Sequence, residues 1–141
     1  MSKPNRSDYE YFHSLETRWM DNDIYGHVNN VTYYSYFDTV ANRYLIDHAG
    51  LDIQNADIVG FVVASNCQYL SPISYPEKLD IGFKVNKLGT SSAEYAMAVF
   101  KHGDDLASAI GSFTHVFVSR STNKPVTIPE PIRAALNAVK R

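Results

Sequence analysis

The sequence predicts an α+β fold in which one long helix packs against an antiparallel sheet. Apolar residues recur at helical spacing in one long stretch, residues 31–49, whereas later stretches alternate or are rich in β-branched and aromatic residues. With 141 residues, the chain has about the length of one domain. We therefore expect a single domain over residues 1–141, large enough to bury a core.

Composition places the chain among globular proteins, with 45% apolar and 20% charged residues. A net charge of -2 argues against a nucleic-acid partner, because no global positive field is available to bind phosphates. Cys67 is the only cysteine, which excludes an internal disulfide and a cysteine-cluster metal site. Residues 1–12 contain no apolar run of signal-peptide length, and no stretch approaches a membrane span. We expect a soluble, cytoplasmic protein without membrane association.

The first strand is predicted over residues 9–19, where alternation places six side chains on one face: Tyr9, Tyr11, His13, Leu15, Thr17 and Trp19. Asp, Asn and Gly residues over 21–30 then predict a loop. The helix over residues 31–49 is predicted from an apolar stripe: Tyr33, Phe37, Val40, Ala41, Tyr44 and Leu45. Asn29 or Asn30 is expected to cap its first turn, and Gly50 suits a left-handed C-terminal cap.

Four strands are predicted after the helix, over about residues 58–70, 79–85, 93–99 and 106–119. Because short turns separate them, we expect these strands to be antiparallel neighbours in chain order. A short helix is predicted from Pro131 to Val139. One long helix cannot cover both faces of such a sheet, so we expect a second subunit to complete the burial.

The loop before the helix carries the most informative polar groups, in the order Asp21-Asn22-Asp23-Ile24-Tyr25-Gly26-His27-Val28-Asn29-Asn30. A helix start offers unpaired N–H groups and partial positive charge, which can stabilise an oxyanion that develops on a carbonyl. A carboxylate held beside it could act as a base toward water or as a nucleophile. The same residue types are also common caps and turn residues, so composition alone leaves both interpretations open.

The string D-x-D-x-x-G-H-V-N-N over residues 21–30, followed by Val31-Thr32-Tyr33-Tyr34, resembles the 4-hydroxybenzoyl-CoA thioesterase family of hotdog-fold proteins. The resemblance includes YLSP at 69–72, LGTSS at 88–92 and Lys124-Pro125, and it covers about residues 11–129. It implies a long central helix wrapped by a five-stranded antiparallel sheet. It also implies an acyl-CoA thioesterase without metal or cofactor, acting as a homodimer or dimer of dimers with active sites at the dimer interface.

Carried over to this sequence, the resemblance makes Asp23 the catalytic carboxylate and the Asn30 N–H the group that polarises the substrate carbonyl. The His27-Val28-Asn29-Asn30 variant also resembles plant acyl-carrier-protein thioesterases, in which an Asp, an Asn and a His serve catalysis. Asp23 and His27 match that spacing, whereas Tyr25 stands at the Asn position. Asn29 suits either orienting a reacting group or capping the helix.

We therefore predict catalytic roles for Asp23, His27 and Asn29. The predicted substrate contacts are Gly26, Val28, Asn30, Tyr33, Thr90, Ser91 and Ser92, of which the last three would come from the partner subunit. His13 and His115 are expected to be packing or interface histidines, and Cys67 an inert core thiol. Two alternatives stay open: a hotdog hydratase or dehydratase, and a non-catalytic protein that binds acyl thioesters.

Overall fold

A computed structural model describes residues 4–141 of the chain. The secondary-structure elements, in chain order, are β1 (Tyr11–Glu16), α1 (Thr32–Ala49), β2 (Ile58–Tyr69), β3 (Lys78–Leu88), β4 (Ser92–Lys101), β5 (Ala109–Ser119) and α2 (Glu130–Asn137). The predicted single domain begins at residue 1, so its first three positions lie outside the described residues. Within the described part of the chain, no helix is both long and apolar enough to cross a membrane.

The five strands form one antiparallel sheet in the order β1-β3-β4-β5-β2. The predicted pairing of β3 with β4 and of β4 with β5 is confirmed. The predicted pairing of β2 with β3 is wrong, because β2 pairs with β5 at the opposite edge. The connection over residues 70–77 is longer than a hairpin turn, and the Val28 N–H binds it at the Ile73 carbonyl, 2.7 Å away. It therefore carries the chain across the end of the sheet.

The core lies between α1 and the concave face of the sheet. All six residues of the predicted apolar stripe of α1 are buried. Phe37 packs edge-on against Phe113 of β5, with ring centroids 6.0 Å apart. A Cβ atom at Gly111 would lie 2.5 Å from the Phe37 ring, so this glycine permits the close approach of helix and sheet. Gly50 ends α1 with φ 68°, as predicted.

The first strand is shorter than predicted, and its ends do not share one face. Tyr11 contacts Tyr44 on the α1 side, with ring centroids 4.8 Å apart. Tyr9 precedes β1 and packs on the outer face, in a notch where a Cβ atom at Gly82 would lie 2.7 Å from its ring. Trp19 follows β1 in a 3-10 turn and is 82% exposed. The single face predicted over residues 9–19 is therefore wrong at both ends.

The N-terminal segment covers part of the outer sheet face that the sequence analysis assigns to a second subunit. Tyr9 and Phe12 pack edge-on against Phe100 of β4, with ring centroids 6.0 Å away in each case. Arg6 fixes this segment to the sheet, because its guanidinium donates to the Asp80 carboxylate at 2.9 Å and lies over the Phe100 ring. The chain thus buries some of its outer apolar surface by itself.

Candidate functional site

The loop over residues 21–30 is closed by hydrogen bonds around Asp23. The Asp23 N–H donates to the His27 carbonyl at 2.9 Å, and the Asp23 carbonyl accepts from the Gly26 N–H at 3.0 Å. The Asp23 carboxylate accepts from the Tyr25 N–H at 2.9 Å through Oδ1. Gly26 has φ 84°, a conformation that a residue with a side chain adopts only with strain. The half-buried Asp23 therefore shapes the turn that presents His27.

Three further hydrogen bonds attach this loop to the connection between β2 and β3. The Val28 N–H donates to the Ile73 carbonyl. The Ser74 hydroxyl donates to the Gly26 carbonyl at 2.9 Å. The Tyr75 N–H donates to the Asn22 side chain at 3.0 Å. The tip between these anchors is exposed: Ile24 is 95% accessible and Tyr25 is 83% accessible. The base of the loop is fixed, and its tip projects into solvent.

Asp21 is a structural carboxylate that the sequence analysis did not identify. It is 2% exposed and accepts hydrogen bonds from the Tyr36 hydroxyl and the Arg18 N–H, each at 2.8 Å. Burial alone would raise the pKa of Asp21, but the hydrogen bonds from Arg18 and Tyr36 hold this pKa below its ordinary value. Its carbonyl accepts from the Asn29 N–H at 2.8 Å, so Asp21 also fixes the start of α1. The sequence held one sign of this role: Tyr36 lies on the buried side of α1, where its hydroxyl needs a hydrogen-bond partner.

The hydrogen bonds at the start of α1 involve Asn29 and Asn30 in different ways. Asn29 shapes the turn before the helix, since its side chain accepts from the Val31 N–H at 3.1 Å and its carbonyl from the Thr32 N–H at 2.9 Å. The residue at the N-cap is Val31, and no side chain caps the helix there, so the predicted cap by Asn29 or Asn30 is wrong. The Asn30 carbonyl accepts from the Tyr69 hydroxyl at 3.1 Å and the Tyr33 N–H at 3.4 Å. The Asn30 N–H, in contrast, donates to no acceptor among residues 4–141.

Asn30 lines a cleft of about 280 Å³ between the helix start and the end of β2. The cleft is lined by His27, Val28, Asn30, Tyr33, Tyr69, Leu70, Ser71 and Pro72. Burial raises the pKa of Tyr33 to about 12, so its hydroxyl is neutral at physiological pH. The cleft combines apolar and aromatic walls with an imidazole, a serine and the Asn30 N–H, which is the chemistry of a site for a polarised carbonyl group.

The structure brings together four predicted site residues as cleft lining, His27, Val28, Asn30 and Tyr33. Asp23, Gly26 and Asn29 shape the adjoining loop but do not line the cleft. A larger cavity of about 380 Å³ lies near the C-terminal end of α1, and none of the predicted site residues lines it. The geometry therefore favours the smaller cleft as the candidate site.

Thr90, Ser91 and Ser92 lie at the opposite end of the sheet. Ser92 is aligned with Val116 of β5, which pairs with Phe61 of β2, whereas the cleft is at Tyr69. These two β2 positions are eight residues apart, a separation of about 26 Å at ~3.3 Å per residue. The turn over residues 90–92 therefore does not reach the cleft of its own chain.

The remaining titratable candidates lie away from the cleft lining. His115 is buried, and its Nδ1 is 3.0 Å from the Tyr95 hydroxyl, which confirms the predicted packing role. Burial raises the pKa of the half-buried Cys67 thiol, in line with an unreactive cysteine. Among residues 4–141, no group of three His, Cys, Asp or Glu side chains is placed to hold a metal ion.

Comparisons with known proteins give one family match and several structural relatives. Residues 17–136 match the family model described as the thioesterase-like superfamily. The PA5185 protein of Pseudomonas aeruginosa strain PAO1 is 49% identical, with a TM-score of 0.97 over 98% of this chain and 96% of that chain.

Two more distant proteins extend the comparison. The DHNA-CoA thioesterase of Staphylococcus aureus is 24% identical, with a TM-score of 0.80 over 91% of this chain and 89% of that chain. The uncharacterized protein YsmA of Bacillus subtilis strain 168 is 26% identical over 125 residues, which are 86% of this chain and 82% of that protein. The likeness in structure to the Staphylococcus protein concerns the fold.

Proposed function

Because the chain belongs to the thioesterase-like superfamily and has the predicted hotdog fold, we propose that it is an acyl-CoA thioesterase. The reaction would hydrolyse the thioester of an acyl-CoA to a free acid and CoA. The observation that carries this proposal is that Asn30 lines the cleft and that its N–H has no acceptor among the described residues. This donor would bind the carbonyl oxygen of the thioester at the positive end of α1.

The neighbouring backbone donors explain why Asn30 is the group available to substrate. The N–H groups of Asn29, Val31 and Thr32 all donate to acceptors within the protein. The peptide between Asn29 and Asn30 is itself polarised, because its carbonyl accepts from the Thr32 N–H at 2.9 Å. A polarised, fixed N–H group would stabilise the negative charge that develops on the carbonyl oxygen during attack.

Asp23 is the proposed catalytic carboxylate. One of its oxygens accepts from the Tyr25 N–H, and the other accepts no hydrogen bond from residues 4–141. As a base, Asp23 would take a proton from water as the water oxygen attacks the carbonyl carbon. The tetrahedral intermediate would then break its C–S bond, and the thiolate of CoA would receive the proton. As a nucleophile, Asp23 would first form an anhydride that water hydrolyses.

His27 is the second proposed catalytic residue. It lines the cleft, whereas Asp23 does not. An imidazole in that position could exchange protons with the attacking water or the leaving thiolate. Asn29 would act by holding the turn before α1 in place through its bonds from the Val31 and Thr32 N–H groups.

We propose that two copies of the chain form a dimer through β2. Within the described residues β2 pairs only with β5, and its Phe61 and Val63 are 62% and 55% exposed. Antiparallel pairing of two β2 strands centred at Ser65 would align Phe61 of one copy with Tyr69 of the other. The turn over residues 90–92 of the second copy would then approach the cleft, which gives Thr90, Ser91 and Ser92 their proposed role.

A free-thiol assay tests the function, using short, long, branched and aromatic acyl-CoAs. Asp23→Asn keeps an acceptor for the Tyr25 N–H and removes the charge, so we expect turnover to fall by about 100-fold or more while the loop stays folded. Asp105→Asn is the matched control, since Asp105 lies on the exposed turn between β4 and β5, away from the cleft. We expect this control to retain the wild-type rate.

Each outcome bears on a separate part of the proposal. Wild-type turnover in Asp23→Asn would remove Asp23 from the mechanism, and a loss confined to His27→Ala would move the base to the imidazole. Absence of CoA release from every substrate would favour a protein that binds acyl thioesters without hydrolysing them.

A further inference from the structure

We infer that Tyr69 is a positioning residue whose hydroxyl group fixes Asn30, so that the Asn30 N–H is aimed at the substrate carbonyl. This inference rests on the proposed thioester hydrolysis and concerns a residue that the motif over residues 21–30 does not contain. Tyr69 is the last residue of β2, so its contact joins the end of the edge strand to the start of α1.

The Asn30 carbonyl depends on Tyr69 for its shorter hydrogen bond. The Tyr69 hydroxyl donates to this oxygen at 3.1 Å, whereas the helical bond from the Tyr33 N–H is 3.4 Å long. A distance of 3.4 Å exceeds the usual range for a backbone hydrogen bond, which ends at about 3.2 Å. Since the first turn of α1 holds Asn30 weakly, the contact from β2 limits the rotation of this residue.

The bonds around Asn30 restrict it on both sides of its Cα atom. On one side, the Asn29 carbonyl accepts from the Thr32 N–H, and on the other, the Asn30 carbonyl accepts from Tyr69. Its own side chain is exposed and takes part in no hydrogen bond with residues 4–141. The Asn30 N–H lies in the same peptide plane as the Asn29 carbonyl, which the Thr32 N–H holds. The bond from Tyr69 holds the next peptide plane and so limits rotation about the Asn30 Cα atom.

The Tyr69 ring is held where the hydroxyl can make this contact. It packs edge-on against Tyr33, which is buried, with ring centroids 5.0 Å apart. Burial, reinforced by Cys67 and Tyr34, raises the pKa of the Tyr69 hydroxyl above its ordinary value, so the group remains a donor throughout the assay range. Both rings line the cleft, so a change at Tyr69 acts at the site itself.

Tyr69→Phe tests the inference, because it removes the hydroxyl and keeps the ring against Tyr33. Loss of an oxyanion donor costs about 100-fold or more in kcat. Since Tyr69→Phe loosens the donor without removing it, we expect kcat to fall by about tenfold. KM for the best acyl-CoA should change by less than about twofold, because the cleft walls are retained.

Tyr44→Phe is the matched control. The Tyr44 hydroxyl on α1 also donates to a backbone carbonyl, that of Ala135 in α2, and Tyr44 does not line the cleft. Both variants delete the same kind of hydrogen bond, so a general loss of stability would affect them alike. We expect Tyr44→Phe to keep wild-type kcat and KM.

A second measurement tests the hydrogen bond from Tyr69 to the Asn30 carbonyl independently of catalysis. Backbone amide spectra of the two variants should show shifts at Asn30 and Val31 in Tyr69→Phe and none there in Tyr44→Phe. The inference is overturned if Tyr69→Phe keeps wild-type kcat, if only KM changes, or if both variants lose kcat equally. A wild-type protein that hydrolyses no acyl thioester refutes the proposed function and this inference with it, whereas an active wild type with a normal Tyr69→Phe refutes this inference alone.

Discussion

Acid should destabilise this fold through His115, a core histidine on β5. His115 is 1% exposed and lies in the buried row between Phe113 and Phe117, with Nδ1 3.0 Å from the Tyr95 hydroxyl. Burial lowers the pKa of His115 from 6.5 to about 4. The unfolded chain therefore takes up a proton as the pH falls through 6.5, while the folded chain does so only near pH 4. The stabilisation is complete above pH 6.5 and is lost between pH 6.5 and about 4.

The size of the effect follows from the two pKa values. One unit of pKa difference corresponds to about 1.36 kcal/mol, so lowering the pH from 7.5 to 4.5 should remove roughly 2–3 kcal/mol of stability through His115. Urea unfolding at both pH values measures this loss in the wild type and in His115→Gln, whose amide does not titrate. Carboxylates such as Asp21 and Asp80 titrate in both proteins, and their contributions cancel in the difference.

The wild type should lose roughly 2–3 kcal/mol more than His115→Gln over this interval. Equal losses in the wild type and His115→Gln would refute the reasoning, because they would show that the buried imidazole binds its proton as readily in the folded chain as in the unfolded one.

Two further predictions concern buried contacts near the site and in the core. Asp21→Asn removes the charge that accepts hydrogen bonds from Arg18 and Tyr36, and should lower the free energy of unfolding by about 2–3 kcal/mol in urea; an unchanged midpoint would show that the carboxylate is replaceable. Gly60→Ala places a Cβ atom 2.6 Å from Nδ1 of His115, and should cost about 1–3 kcal/mol in the same assay. Wild-type stability in Gly60→Ala would contradict the close packing between β2 and β5 at this position.

Features encoded by local spacing could be predicted from the sequence. The stripe of α1 repeats over 18 residues, and the glycine at its end is the residue type that a left-handed cap requires, so the helix and its C-terminus were both predicted. The alternation of β3 and the short turns around β4 likewise specify local pairing, which the structure confirms.

Features that depend on contacts distant in sequence were not predicted. The place of β2 in the sheet depends on the connection over residues 70–77, which the loop over 21–30 holds through Val28 and Ile73. Tyr9 lies on the outer face because Gly82 leaves space for its ring, and strand alternation contains no information about that notch.

The candidate site likewise has features that local sequence predicts and features that depend on contacts distant in sequence. The motif over residues 21–30 located the loop and the helix start, because their residue types have specific backbone uses. The roles of Asp21 and Tyr69 arise from partners on other elements, 15 and 39 residues away in sequence. Position in the chain alone does not reveal such pairs.

The loop that precedes α1 combines a fixed base with an exposed tip. Hydrogen bonds from Val28, Ser74 and Tyr75 fix its base, whereas Ile24 and Tyr25 at the tip bear no such restraint on their side chains. Side chains at 24 and 25 can therefore be exchanged for larger, smaller or charged ones while the base of the loop keeps its hydrogen bonds. Within this loop, positions 24 and 25 are therefore the ones most tolerant of substitution.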